Sequence, residues 1–236
     1  QLKARELLAV FERITARGLN ETAHRARADV SQVFRFAVVS GRTDDDPTQH
    51  LKGALPPVRV THFAAITDPK RVGPLMRAIA GYSGDATTVA ALRLLPLVIV
   101  RPGELRNARW SEFDLEGATW RIPAGRMKMR REHLVPLSRQ AVALLEELAL
   151  LTRNRGAARA EQDPYVFPSL RSRDRPISEN TLNAALRRLG FARDEMTSHG
   201  FRAMASSLLH EQGWNSDAIE RQLAHSPSDE TKAAYH

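Results

Sequence analysis

The stretch His199-Gly-Phe-Arg202 sets an imidazole and a guanidinium three residues apart. With Ser198 as a helix N-cap, both side chains lie on one face beside free backbone N–H groups, where the helix dipole favours an anion. That combination suits a phosphate cradle, and it suits an ordinary surface His–Arg pair as well. Arg101-Pro-Gly-Glu104-Leu is a second candidate. Pro102 fits the first turn of a short helix and keeps Arg101 extended. Glu104, one turn on, can fix the Arg101 fork, or the two form a plain ion pair at a helix start. Lys128 lies in Arg126-Met-Lys128-Met-Arg130-Arg131, a very basic segment eight residues before Pro136. A hairpin tip can push such a lysine into a groove, whereas most charge runs are simply solvated. Finally, His225 precedes Tyr235 by ten residues. By itself that tyrosine reads as an aromatic docking a chain end.

The overall charge gives these cations a context. Among 236 residues there are 35 Lys and Arg against 27 Asp and Glu, a formal net charge of +8. Arginine dominates the positive set, and its planar fork matches phosphate oxygens, so a polyanionic partner is favoured. There is no cysteine, which excludes a disulfide framework, a thiolate nucleophile and a Cys-ligated metal. The eight histidines are scattered and no H-E-x-x-H occurs, so a metallohydrolase is set aside. The longest apolar run, Val89 to Val100, is broken by Arg93 and Pro96. It falls short of the ~20 residues that a bilayer span needs.

The elements that must position these residues are mostly helical. Leu2, Leu7, Leu8, Val10, Phe11 and Ile14 form one apolar stripe ended by Gly18. Asn20 is expected to cap a second helix that buries Ala23, Val30, Val33, Phe34, Ala37 and Val38 and closes at Gly41. Its outer face carries His24, Arg25, Arg27 and Arg35. Thr43-Asp-Asp-Asp-Pro is a turn that starts a helix. Residues 53–69, with Gly53, Pro56, Pro57 and Pro69, read as a linker. Residues 70–107 look helical, although Leu94 to Val100 would also suit a buried strand, and Pro96 should kink a helix. Residues 119–122 and 133–135 read as strands around the basic hairpin, and Ser138 caps a helix through Leu151. The polar stretch 153–163 reads as a mobile loop. Helices are expected over 178–189, 198–212 and 215–223. The fold class is mostly α with a small antiparallel β-element.

Taken together, these residues make a family signature. In order they are Arg101 and Glu104 in R-P-G-E-L, Lys128 before L-V-P-L, His199 and Arg202 in H-G-F-R, His225 in L-A-H, and Tyr235. The chain resembles the tyrosine recombinases, the phage integrase family. The stretches R-P-G-E-L-R-N-A-R-W-S-E-F-D-L and H-E-Q-G-W-N-S-D-A-I-E-R-Q-L-A-H are similar to integrases of satellite prophages and genomic islands. Residues 19–52 are similar to that group's core-binding domain. The resemblance implies a helical, SAM-like core-binding domain over 1–52, the linker 53–69, and a catalytic tyrosine recombinase domain over 70–236.

It also implies an activity: a site-specific recombinase that integrates or excises a mobile element through a 3′-phosphotyrosine. Tyr235 is then the nucleophile, and Arg101, Arg202 and His225 hold the attacked phosphate. Lys128 is the proton donor, and His199 is a base or a phosphate donor. No cofactor and no metal is expected, because the bond energy is kept in the protein–DNA link. The expected partners are double-stranded DNA attachment sites, bound by a tetramer on paired sites and a monomer when free. An accessory DNA-bending or directionality protein is a further expected partner, and no membrane is. The expected place of action is chromosomal DNA in the cytoplasm. Arg25, Arg27, Arg126, Arg130 and Arg131 are the further DNA-contact candidates. A relaxing topoisomerase of similar chemistry and a non-catalytic DNA-binding protein of the same fold are the alternatives.

The residue chemistry agrees with that role. A free tyrosine has a pKa of about 10, so roughly one in a thousand is phenolate at neutral pH, and cationic neighbours raise that fraction. Two departures from the family pattern stand out. Many recombinases space the last His and the Tyr by nine residues, and the chain stops one residue after Tyr235. With Gln1 at the other end, a core fragment of a longer protein is expected.

Overall fold

Two apolar cores, each closed by its own elements, divide the chain at residues 62 and 63. The computed structural model describes residues 2–58, 63–153 and 163–225. The centre of the expected polar loop, 154–162, and Tyr235 lie outside the described residues.

In the first unit, helix α1 (Ala4–Thr15) buries Leu7 and Phe11 against Ala23 of helix α2 (Asn20–Val39), and Leu51 and Leu55 complete the core. Asp46 caps the 3-10 turn Pro47–Leu51 by accepting from the Thr48 N–H at 2.9 Å. Two expectations change here. The N-cap of α2 is Leu19, and Asn20 is already helical, with no side-chain cap bond. Val33 and Val38 are 67% and 37% exposed rather than buried. The reason is length. The 20 residues of α2 outrun the 12 of α1, so α1 cannot cover α2 along its whole length. Nor is His24 free on the outer face, since its Nε2 meets the Pro56 carbonyl at 2.8 Å.

The second unit is built around helix α4 (Ala86–Val98), capped by Asp85, whose carboxylate accepts from the Thr87 and Thr88 N–H groups. Ala91, Leu92, Leu94, Leu95 and Val98 are buried on all sides of it. This explains why Leu94–Val98 carries no amphipathic period and yet is helix: a central helix needs no polar face. The expected run 70–107 becomes three helices: α3 (Pro69–Ala80), α4 and α5 (Pro102–Arg106). Leu55 closes the first core and Ile66 belongs to the second, so both ends of the stretch 53–69 pack into units.

A three-stranded antiparallel sheet follows, in the order β1 (Phe113–Asp114), β2 (Thr119–Ile122), β3 (His133–Pro136). Trp120 pairs with Phe113 on one side and Val135 on the other, and Ile122 pairs with His133. Trp120, Ile122 and Val135 alternate inward, which fixes the register. Helix α6 (Arg139–Thr152) starts where Ser138 accepts from the Ala141 N–H at 3.2 Å. Helices α7 (Thr181–Arg188), α8 (Gly200–Glu211) and α9 (Ser216–Gln222) complete the unit. No described helix is long and apolar enough to cross a membrane.

Candidate active site

Arg101 stands at the N-cap of α5, and Glu104 folds back onto it. The Glu104 carboxylate accepts from the Arg101 backbone N–H at 2.8 Å and from Nη1 at 2.7 Å. Pro102 makes this local closure possible by fixing the first helical turn without needing a donor. Glu104 is only 5% exposed, so the ion pair is held in a place with little solvent screening. The remaining fork nitrogen, Nη2, reaches the Ala224 carbonyl at 3.4 Å, beyond α9.

Arg202 comes from α8 and is also 5% exposed. Its Nη1 donates to the Ile99 carbonyl at 2.7 Å and its Nη2 to the Leu223 carbonyl at 2.5 Å, with His225 Nε2 at 3.2 Å. None of these partners is a carboxylate. Burial first, then the nearby charge of Arg101, pushes its pKa down to about 10, so it remains a cation at neutral pH. A buried guanidinium bonded to neutral groups, beside a second guanidinium, is an anion site. Two of the carbonyls, that of Ile99 on Arg202 and that of Ala224 on Arg101, come from strained places, with left-handed backbone at φ of 48° and 49°. A β-branched residue avoids that region, and such strain clusters at functional sites. Ile99 is held there by its side chain, which packs against Ile219 and Leu223.

His225 has its Nδ1 at 2.6 Å from the Glu220 carboxylate. Arginine is always a donor, so the ring accepts at Nε2 and donates from Nδ1. His199 does not follow Ser198 into the helix as expected. It is itself the N-cap residue, with no side-chain cap bond, and its ring lies 4.3 Å from that of Phe63. Burial, followed by Arg202 and Arg101, lowers its pKa. The loop before it is fixed from two sides: the Ser198 N–H donates to Asn183 at 2.8 Å, and Thr197 donates to the Ala64 carbonyl. A cleft of about 420 Å³ opens beside Arg101 and His199, lined also by Arg106, Asn183 and Phe63.

The structure therefore brings Arg101, Glu104, His199, Arg202 and His225 together. Lys128 lies at the hairpin tip, second in a turn closed by the Arg130 N–H onto the Met127 carbonyl at 3.0 Å. Its ammonium is exposed and makes no ion pair with any described residue. Arg130 and Arg131 are exposed beside it, and Arg25 is exposed and paired with Glu21. Arg126, expected as a DNA contact, instead points inward to Glu112 and the Glu104 carbonyl, because the buried Met127 turns the chain there. The other tyrosines are engaged: Tyr82 accepts from Arg188, and Arg109 lies 3.5 Å over the Tyr165 ring. Among the described residues no three His, Asp or Glu side chains gather to hold a metal ion.

Sequence reasoning missed His133 and Glu220. His133 is 8% exposed in β3, faces the Gln222 carbonyl, and has no hydrogen-bond partner on Nε2 among the described residues. Its inward place follows from strand alternation with Val135, a signal legible once the strand is placed. Glu220 carries no such signal beyond its helix.

The model of the phage integrase family matches residues 66–236, and that of the phage integrase central domain matches residues 1–54. The integrase of Enterobacteria phage P4 is 38% identical over 249 residues, covering all of this chain and 55% of that protein. The chain thus spans about half the length of that relative. The Tn1549 transposon integrase in complex with a circular intermediate DNA has the same fold, with a TM-score of 0.73 at 13% identity, over all of this chain and 80% of that one. A lambda integrase tetramer bound to a Holliday junction superposes with a TM-score of 0.69 at 18% identity, over 98% of this chain and 66% of that one. With one family model spanning the whole second unit except its first residues, the chain belongs to the phage integrase family.

Proposed function

We propose that this chain is the catalytic core of a site-specific DNA recombinase that integrates or excises a mobile element. The observation that carries this reading is the convergence of Arg101, Arg202 and His225 on one anion site. Arg202 spends its fork on neutral carbonyls and an imidazole, and it can turn that positive charge toward a phosphodiester. In the reaction, the Tyr235 oxygen attacks the phosphorus and the bond to the 5′-oxygen breaks. The 3′-phosphotyrosine keeps the bond energy, and the 5′-hydroxyl of a partner strand later reverses the step. The two guanidiniums stabilise the charge that grows on the phosphate oxygens, and removing one such donor costs about 10²–10³ in rate. When protonated, His225 adds a donor from Nε2, with Glu220 holding the ring from the other side.

Lys128 gives its proton to the departing 5′-oxygen. A lysine can surrender a proton when desolvated beside cations, while arginine keeps its own. His199, with its lowered pKa, is neutral at pH 7 and can accept the phenol proton or donate to the phosphate. The first unit, residues 1–62, serves as the core-binding domain, and both units bind the duplex. Both are basic: residues 1–65 carry ten positive and seven negative groups, and residues 66–236 carry 25 and 20. Four such chains on two paired sites complete the assembly, in line with the lambda integrase tetramer on its junction. The site of action is chromosomal DNA.

The test is Tyr235→Phe on a nicked suicide duplex built from the element's attachment core. The parent enzyme forms a denaturant-resistant adduct, and the variant binds with near-parent affinity and forms none. An adduct with the variant would move the nucleophile to another residue and sink this reading.

A further inference from the structure

We propose that Arg126 is a positioning residue that sets the place of Lys128 against the Arg101–Glu104 pair. This rests on the reading of Lys128 as the proton donor. Arg126 sits at the foot of the hairpin, two residues before Lys128. Its guanidinium is forked over two acceptors from different elements. Nη1 meets the Glu112 carboxylate, and Nη2 donates to the Glu104 backbone carbonyl at 2.5 Å. Glu112 is anchored in turn, accepting from the Trp120 Nε1–H at 2.9 Å, and Trp120 is fully buried in β2.

The Glu104 whose carbonyl takes Arg126 is the residue whose carboxylate holds Arg101. One residue thus holds a phosphate-binding arginine with its side chain and the hairpin with its main chain. Between Arg126 and Lys128 only Met127 intervenes, and Met127 is 6% exposed, packed into the main core. The path from the fixed guanidinium to the Lys128 backbone therefore has little freedom. Arginine is needed at this place because a planar fork serves a carboxylate and a carbonyl at once, whereas a lysine offers a point charge. A hairpin tip loses definition within a few residues of its last anchor, and a proton donor must be placed to within an ångström. This tie is what meets that demand.

The experiment compares two nicked duplexes, one with the natural bridging 5′-oxygen at the cleavage point and one with sulfur there. A 5′-thiolate leaves without a proton. Arg126→Met paired with Glu112→Gln removes the tie yet keeps a neutral acceptor for Trp120. Arg126→Lys keeps the charge and loses the fork. On the oxygen duplex the first variant should lose about 10²-fold in cleavage, as expected for a displacement of about 1 Å. Arg126→Lys should lose less. On the sulfur duplex both should cleave like the parent. Adding Lys128→Ala to either should cost nothing beyond Lys128→Ala alone. A loss that sulfur leaves in place, or that adds to the Lys128→Ala loss, overturns the proposal and puts Arg126 in service of the phosphate pocket or the fold. No loss on oxygen overturns it too. Lys128→Ala by itself separates the two levels. If sulfur rescues Lys128→Ala and leaves the Arg126 variants impaired, only the positioning role falls. If sulfur fails to rescue Lys128→Ala, the proton-donor reading falls and takes the positioning role with it.

Discussion

Replacing Gly200 with alanine should disable the site through its frame while removing none of the side chains proposed to act in it. Gly200 is the first residue of α8, between His199 and Arg202. A Cβ there would stand 2.3 Å from the Ala64 carbonyl oxygen and 3.1 Å from the Ala65 Cα. Both neighbours are backbone and cannot swing aside. A carbon and a carbonyl oxygen ordinarily approach to about 3.3–3.6 Å, so the helix start and the Ala64 segment must separate by roughly 1 Å. That same carbonyl accepts from the Thr197 N–H at 3.1 Å and from its hydroxyl at 3.2 Å, so separation also strains the loop that sets His199. Overpacking of this kind costs about 1–3 kcal/mol. In a unit of this size each kcal/mol is worth about 2–4 °C, so the melting temperature should fall by about 2–12 °C. A shift of about 1 Å at the reacting groups should lower the single-turnover rate of adduct formation by roughly 10²-fold. DNA affinity at moderate salt should change little, because the substitution removes no positive charge. Gly103→Ala is the contrast, since a Cβ there meets nothing within 4 Å and the melting temperature should hold or rise. If Gly200→Ala melts and cleaves like the parent, the close approach of α8 to Ala64 does not position the site.

Two further outcomes are expected. His133 and His199 both have lowered pKa values, mainly from burial, with Arg202 and Arg101 adding to the effect and Glu104 opposing it. As pH falls below the ordinary histidine value of 6.5, the unfolded chain takes up protons that the native state refuses, so stability should decline toward the lowered native values. Denaturant melts of His133→Gln between pH 7.5 and 5 should show a shallower decline than the parent, and an equal decline would assign the effect to other groups. For the first unit, Arg25→Ala or Arg27→Ala should each lower the log–log salt slope of DNA binding by ~0.9 for every phosphate that the variant leaves unneutralised. Unchanged slopes for both would remove α2 from the DNA interface.

Local chemistry was legible in the chain because it acts over three or four residues. Asp46, in the expected turn, and Ser138 cap the elements they precede, each bonding an N–H two or three residues on, whereas the caps expected at Asn20 and Ser198 fall at Leu19 and His199. The alternation of Thr119–Ile122 and His133–Pro136 gave the strands, and the order of Arg, Lys, His, Arg, His and Tyr gave the family. What the chain could not announce is where a long side chain ends. Arg126 and Arg130 look alike in a basic run, and only the burial of Met127 and the carboxylate of Glu112 send one inward and leave the other exposed. Val33 fits the apolar period of α2 and is exposed because α1 is shorter, a fact about its partner. The anion site itself is assembled across long separations. Arg202 meets the Ile99 carbonyl from 103 residues away, and Arg101 meets that of Ala224 from 123. The sequence by itself determined which groups could do the chemistry. Only the tertiary structure decided which of them come together, because packing around α4 sets those distances.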